Sequence, residues 1–302
     1  MRVLSHANWA RADAEEAATS TEVHDRSIGD LIRESCELSD AQIEQILVYQ
    51  REHRIRFGEA AVALRLAGKD DVLRALSRQF HYAYTPDLGD RSVNGELVAA
   101  ASPFSNEAEA FRELRSQLMM GVMGRDDAAA RALAVVSPDV GDGKTYVAAN
   151  MAVAFSQLGG RTLLMDADMR TPRQHKVFDI GRTEGLSSIL SGRCQADVVH
   201  RVRDLPSLYV LPVGPIPPNP LELVQRPAFG LLLNELLNKF DHVLIDTPAA
   251  VHGADARVIA AKSGAALVIG RKGRSRMASM QGLLKSLGKG PGTIAGVVMN
   301  EY

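Results

Sequence analysis

Between residues 133 and 299 short, unbroken apolar runs alternate with stretches of helical periodicity. Leu133–Val136, Arg161–Met165, Leu208–Leu211, His242–Asp246, Ala265–Ile269 and Thr293–Met299 are the runs. Leu133–Val136 and Arg161–Met165 are expected to be buried strands, and the other runs strands or β-rich segments. Tyr146–Leu158 places small and apolar residues at helical spacing and stops at Gly159-Gly160, a C-cap signal. Strands alternating with helices predict an α/β fold, a doubly wound and mainly parallel sheet flanked by helices.

The first third of the chain has only helical spacing, and it repeats. Ser27-Ile-Gly-Asp-Leu-Ile32 and Arg56-Phe-Gly-Glu-Ala-Ala61 are offset by 29 positions, as are Ile43 and Val72, Leu47 and Leu76, and Gln50 and Gln79. Each repeat is expected to be two short helices, and two packed repeats a small all-α domain over residues 26–85. Residues 1–25 lack sustained periodicity and read as a disordered tail in which Trp9 is incidental. Residues 86–103 carry Pro86, Gly89, Asp90, Gly95 and Pro103 and read as a linker to a second domain, 104–302. That domain begins with a helix whose apolar face is Phe111, Leu114 and Leu118; Glu109, Arg112 and Arg115 recur every third position beside it. On spacing alone those charges are a solvated face.

Composition narrows the field. A net charge of −1 over 302 residues argues against nucleic acid as a partner. Cys36 and Cys194 have no metal or disulfide spacing, which suits a reducing cytosol. The absence of a long apolar run leads us to expect a cytoplasmic chain, attached to a membrane only through a partner.

The chemistry gathers at three predicted strand ends. Ser137-Pro-Asp-Val-Gly-Asp-Gly-Lys-Thr145 joins the first strand to a helix, the context of a phosphate-binding loop, although Pro138 stands where the common pattern has glycine. Asp139, Val140, Gly141, Asp142, Gly143, Lys144, Thr145 and Tyr146 form the candidate nucleotide-binding stretch, with Arg170 nearby. Backbone N–H groups there would face an anion, Lys144 would reach the terminal phosphates, and the Thr145 hydroxyl would ligate Mg²⁺. The second strand ends in Asp166-Ala-Asp168 and the fourth in Asp246-Thr-Pro, placing carboxylates in the crevice where open parallel sheets bind ligands. The expected cofactors are ATP and Mg²⁺, with Thr145, Asp166, Asp168 and Asp246 as metal ligands. Lys144 neutralises developing charge, and one acid after the second strand accepts a proton from an incoming hydroxyl.

Together these motifs resemble the bacterial tyrosine kinase family. Its Walker A is matched at 137–145, its Asp-x-Asp-x-Arg motif at Asp166–Arg170, and its Walker B at Val243–Pro248. Gly185–Gly192, Asn219–Leu223 and Gly296–Asn300 match further landmarks, and Glu109/Arg112/Arg115 resembles the family's Glu-x-x-Arg-x-x-Arg oligomerisation helix. The resemblance implies a protein tyrosine autokinase of exopolysaccharide or capsule assembly, of the EpsG-type chain-length determinant group. It further implies a homo-oligomeric ring and activation by the cytosolic tail of a transmembrane polysaccharide co-polymerase of the Wzz type. The family's C-terminal tyrosine cluster is reduced here to Tyr302, the candidate phosphoacceptor, while Tyr146 reads as a packing residue. Residues 26–80 resemble the N-terminal domain of type II secretion and pilus ATPases (MshEN-like). One version of that domain binds cyclic di-GMP through Arg-Leu-Gly…Gln repeats. Arg56, Gly58 and Gln79 keep the pattern in the second repeat, whereas Ser27 replaces the arginine in the first. A docking domain and a cyclic di-GMP site both remain open. The alternative for the whole chain is a ParA/MinD-like ATPase or regulatory ring, an ATP-gated assembly switch; Asp139 stands where those ATPases carry their signature lysine.

Overall fold

The computed structural model describes residues 27–68, 71–72, 74–76, 94–124, 132–193 and 197–301. Trp9 and the 1–25 tail, Leu73, Gln79, linker residues 86–93, Cys194 and Tyr302 lie outside the described residues. Two compact units divide at Ser92/Val93.

The first unit contains α1 (Ile28–Ser35), α2 (Asp40–His53) and α3 (Phe57–Ala63) around a core that includes Leu31, Ile32, Ile46, Ala60 and Ala61. The 29-residue repeat has a physical reading in the helix starts. The backbone N–H of Ser27 donates to Asp30 Oδ2 at 3.1 Å and that of Arg56 to Glu59 Oε2 at 2.9 Å. Ser39 and Gly68 repeat the bond one helix later, to Gln42 and Asp71, each at 2.9 Å. Asp30, Gln42 and Glu59, each the third residue of its helix, thus reach back to satisfy an orphan N–H. Gly58 is also spatially required, because a Cβ there would stand 2.6 Å from Val72 Cγ1.

In the second unit α4 (Val98–Ala101) and α5 (Asn106–Met120) precede a seven-stranded sheet of order β3-β4-β2-β5-β1-β6-β7. Its strands are β1 (Ala132–Val136), β2 (Thr162–Asp166), β3 (His200–Val202), β4 (Leu205–Leu211), β5 (His242–Asp246), β6 (Gly264–Arg271) and β7 (Thr293–Asn300). All pairings are parallel except β3 with β4. The helices are α6 (Lys144–Ser156), α7 (Gln174–Val177), α8 (Leu186–Leu190), α9 (Pro220–Gln225), α10 (Pro227–Leu237), α11 (Asp255–Ser263) and α12 (Met277–Leu287). Every residue of β1 and β2 is buried, as continuous apolar runs in a doubly covered sheet should be.

Two expectations need correcting. The sheet has one strand more than the apolar runs announced. The half-exposed β3 is carried by cross-strand pairing with β4, and has no apolar run of its own. The end of the expected linker is structure: Leu97, Ala99 and Ala100 are buried in the second unit. The fully buried Asn150 on α6 explains it, accepting the Ala99 N–H at 3.0 Å and donating to Glu96 O at 2.7 Å. A buried amide needs such partners, and this segment supplies two of them beside the Tyr146 carbonyl, which also accepts from Nδ2 at 3.0 Å.

Candidate active site

Parallel pairing brings the three chemical strand ends together. β2, β5 and β1 are neighbours, and Asp166 of β2 is the register partner of Asp246 of β5. Parallel strands lie about 4.8 Å apart, so two carboxylates that are 80 residues apart in sequence become adjacent. The Ala167 N–H donates to Asp246 O at 2.9 Å and the Thr247 hydroxyl to Val135 O at 2.7 Å, which ties all three ends into one rim.

The loop after β1 is shaped by two glycines. Gly141 and Gly143 have φ of 84° and 98°, the left-handed region that disfavours side chains. Pro138 needs no such freedom. Its carbonyl and that of Ser137 are fixed from outside by Val251 N–H at 3.0 Å and Ala250 N–H at 2.9 Å. α6 then begins at Lys144, so the N–H groups of Lys144 and Thr145 precede the first intrahelical bond, Val147 N–H to Gly143 O at 2.9 Å. Orphan donors at a helix N-terminus constitute an anion site.

Several predicted residues make contacts that shape the loop and its surroundings. The buried Asp142 carboxylate turns inward, accepting the Asp139 N–H at 2.9 Å and the Ser275 hydroxyl at 2.7 Å. Asp139 O in turn accepts the Ser137 hydroxyl at 2.8 Å, so the backbone of Asp139 is spent inside the turn. Val140 is 46% exposed at its tip. The Tyr146 ring packs edge-on against Phe111 at 5.8 Å, the packing role expected for it. Arg170 is held by the buried Asp255 at 3.0 Å, a partner 85 residues away that no motif announced.

The acids divide the work. Asp166 is fully buried and accepts three backbone N–H groups, from Asp168 (3.1 Å), Arg173 (3.2 Å) and Gln174 (3.0 Å). It therefore shapes the loop that follows it. Burial raises its carboxyl well above the usual carboxylate range, and the facing Asp246 raises it further. Asp168, 3% exposed, accepts the N–H groups of Arg170 (3.1 Å) and Thr171 (2.8 Å) and the Thr171 hydroxyl (2.8 Å). Asp246 is pushed up to about 6 by burial; Lys144 pulls it back, Asp168 opposes that, and Thr145 and Gln174 help ionise it. Its Oδ2 accepts Gln174 Nε2 at 2.9 Å, whereas its buried Oδ1 has no hydrogen-bond partner among the described residues.

The expected oligomerisation residues are tied to their own chain. Arg112 pairs with Glu109 and donates to Pro103 O at 2.6 Å, and Arg115 donates to Ala154 O on α6 at 2.6 Å. Glu109 remains 68% exposed. Among the residues that sequence reading missed, Asn150, Gln174, Asp255 and Ser275 are single polar residues that match no spacing rule. Asn300, noted only as the end of a family landmark, donates from Nδ2 to Asp142 O at 3.1 Å.

Residues 133–302 match the family described as the CobQ/CobB/MinD/ParA nucleotide binding domain. CapB of Staphylococcus aureus, assigned by name to the tyrosine-protein kinases, is 34% identical over 70% of this chain and 91% of its own. The tyrosine-protein kinase Wzc of Salmonella typhimurium is 31% identical over 70% of this chain, which spans only 29% of Wzc. The kinase domain of the Escherichia coli tyrosine kinase ETK superposes with a TM-score of 0.65 at 27% identity, over 70% of this chain and 82% of that domain. The chain belongs to the CobQ/CobB/MinD/ParA nucleotide-binding family and, within it, to the bacterial tyrosine-protein kinases.

Proposed function

We propose that this chain is an ATP- and Mg²⁺-dependent protein tyrosine autokinase that regulates polymerisation and export of an exopolysaccharide or capsule. The observation that carries the reading is the buried Oδ1 of Asp246, without a hydrogen-bond partner among the described residues, at the foot of a glycine loop that ends in Lys144 and Thr145. The donor set suits magnesium. No cluster of three or more acidic, histidine or cysteine residues forms a cage among the described residues. Mg²⁺ takes one or two carboxylates and completes its shell with water and phosphate, whereas a dedicated all-protein site would need such a cage. When bound, ATP–Mg²⁺ supplies the phosphoryl group and offsets its charge.

Lys144 and the orphan N–H groups at the start of α6 bind and orient the phosphates, and Thr145 and Asp246 hold the cation. Asp166 and Asp168 each accept three hydrogen bonds, but those to Asp166 all come from the fixed backbone, so the proton-accepting role falls to Asp168. Its Oδ2 is held by the Thr171 hydroxyl, a rotor that can release it.

Mass spectrometry after incubation with ATP–Mg²⁺ should find phosphotyrosine, with Tyr302 the first position to inspect, and Lys144→Met should abolish it. ATP turnover without phosphotyrosine would favour the second reading, a ParA/MinD-like assembly switch. That reading draws on one observation: Tyr146, the tyrosine nearest the loop, is packed against Phe111.

Ring assembly through Glu109, Arg112 and Arg115 is part of the proposal. Arg112→Ala with Arg115→Ala should lower the native mass in light scattering, and an unchanged mass would refute the role. No helix among the described residues is long and apolar enough to cross a membrane. Attachment to a membrane through a co-polymerase partner's cytosolic tail is part of the proposal. The helical unit is proposed as a docking module. Ser27 at the first helix start leaves Arg56 as the one guanidinium in register with the repeat, which weakens a cyclic di-GMP reading.

A further inference from the structure

Gln174 opens α7 with its side chain fully buried, and it touches all three strand-end motifs. Its backbone N–H donates to Asp166 Oδ2 at 3.0 Å. Its Nε2 donates to Asp246 Oδ2 at 2.9 Å and to the Thr145 carbonyl at 3.1 Å. Turning the amide over would set Oε1 against two acceptors, so these bonds decide its orientation. Both Nε2 hydrogens are then used, and Oε1 is left buried without a partner among the described residues. Asp246 Oδ1 is in the same condition. Two side chains joined by a hydrogen bond therefore each retain a buried acceptor and lack a donor.

A glutamine serving only the packing would have both ends satisfied, because a buried polar atom left unmatched is costly. What the pair lacks is a group that only donates. Water bound to a divalent cation is such a group, and Mg²⁺ keeps several of its waters in protein sites.

We propose that Gln174 is a positioning residue for the cation, holding Asp246 through Nε2 and accepting a hydrogen bond from a magnesium-bound water at Oε1. This rests on the magnesium–nucleotide reading above. The neighbouring Arg173 pairs with Glu96, which anchors the start of α7 to the segment before α4. Gln174 is thereby presented from a fixed turn.

The test is calorimetric titration of ADP into the full chain, once with excess Mg²⁺ and once with EDTA. Wild type should bind more tightly with Mg²⁺. Gln174→Leu should cut that magnesium-dependent gain by roughly 10- to 100-fold, the usual effect of losing an outer partner of a metal ligand, while affinity in EDTA stays close to wild type. Gln174→Glu keeps the length and an acceptor but loses both donors, and it carries the same expectation if the leucine variant does not fold. An equal loss with and without Mg²⁺ would reduce Gln174 to a packing residue and overturn the inference. Retention of the full gain would overturn it too, with the magnesium reading intact. A wild type indifferent to Mg²⁺ would sink both.

Discussion

Asp246→Asn will make the nucleotide-free protein more stable at neutral pH while stripping it of its response to Mg²⁺. The carboxyl is fully buried on a strand whose register partner is another acid, and it rises from 3.8 to about 6. For a raised acid the sign is unfavourable to the charged form. Below about pH 4 the folded and unfolded states are both protonated and nothing is lost. As pH rises through about 6 the folded state must give up a proton it holds more tightly than the unfolded state does, so stability falls. Two pKa units correspond to roughly 3 kcal/mol, and asparagine removes that cost while keeping an oxygen for Gln174 Nε2. Denaturant unfolding should show the variant ahead of wild type by about 1–3 kcal/mol at pH 7.5, with the gap closing toward pH 4. The same variant should show no added stabilisation by ADP with Mg²⁺ over ADP alone. A variant weaker than wild type at both pH values would mean that Asp246 holds the rim together and is not a strained ligand.

Gly143→Ala should lower nucleotide affinity by about 100-fold or more, which corresponds to roughly 3 kcal/mol, while leaving most of the fold intact. Two costs coincide at this position. Its φ of 98° disfavours any side chain, and a Cβ would stand 2.1 Å from Asn300 Nδ2. That nitrogen donates to Asp142 O, so displacing it frees the loop from the end of β7. Strain and crowding can be separated with Gly159→Ala, which has a comparable φ of 88° at the end of the P-loop helix but open space around its Cβ. That control should lose roughly 1 kcal/mol of stability and no affinity. Equal affinity losses in the two variants would remove Asn300 from the account.

The apolar runs located six strand cores within a few residues, and the inner ones were legible because parallel strands buried on both faces cannot tolerate polar residues. They missed β3, whose His200–Val202 segment is held by pairing and not by burial. Gly141 and Gly143 were readable because their chemistry is local: no other residue adopts that backbone cheaply. The repeat in the first unit was readable for the same reason, since each acid or amide caps a helix start three residues before it. The charged face of α5 was legible as a pattern but not in its use, because Arg115 reaches a carbonyl on α6.

By itself the sequence determined where six of the seven strands run, where the loop must turn left-handed, and which acids end the strands. Those properties depend on residues within a few positions of one another, where local sterics and periodicity act. Only the tertiary structure decided that β2 and β5 are neighbours in a register that opposes Asp166 to Asp246. It likewise turned Asp142 inward onto Ser275, gave Arg170 to Asp255, and folded residues 97–101 onto Asn150. Each of these couples groups far apart in the chain, and the coupling exists only once the crossovers have set the strand order. The charge that makes the site reactive is a property of that adjacency, because no single strand carries it.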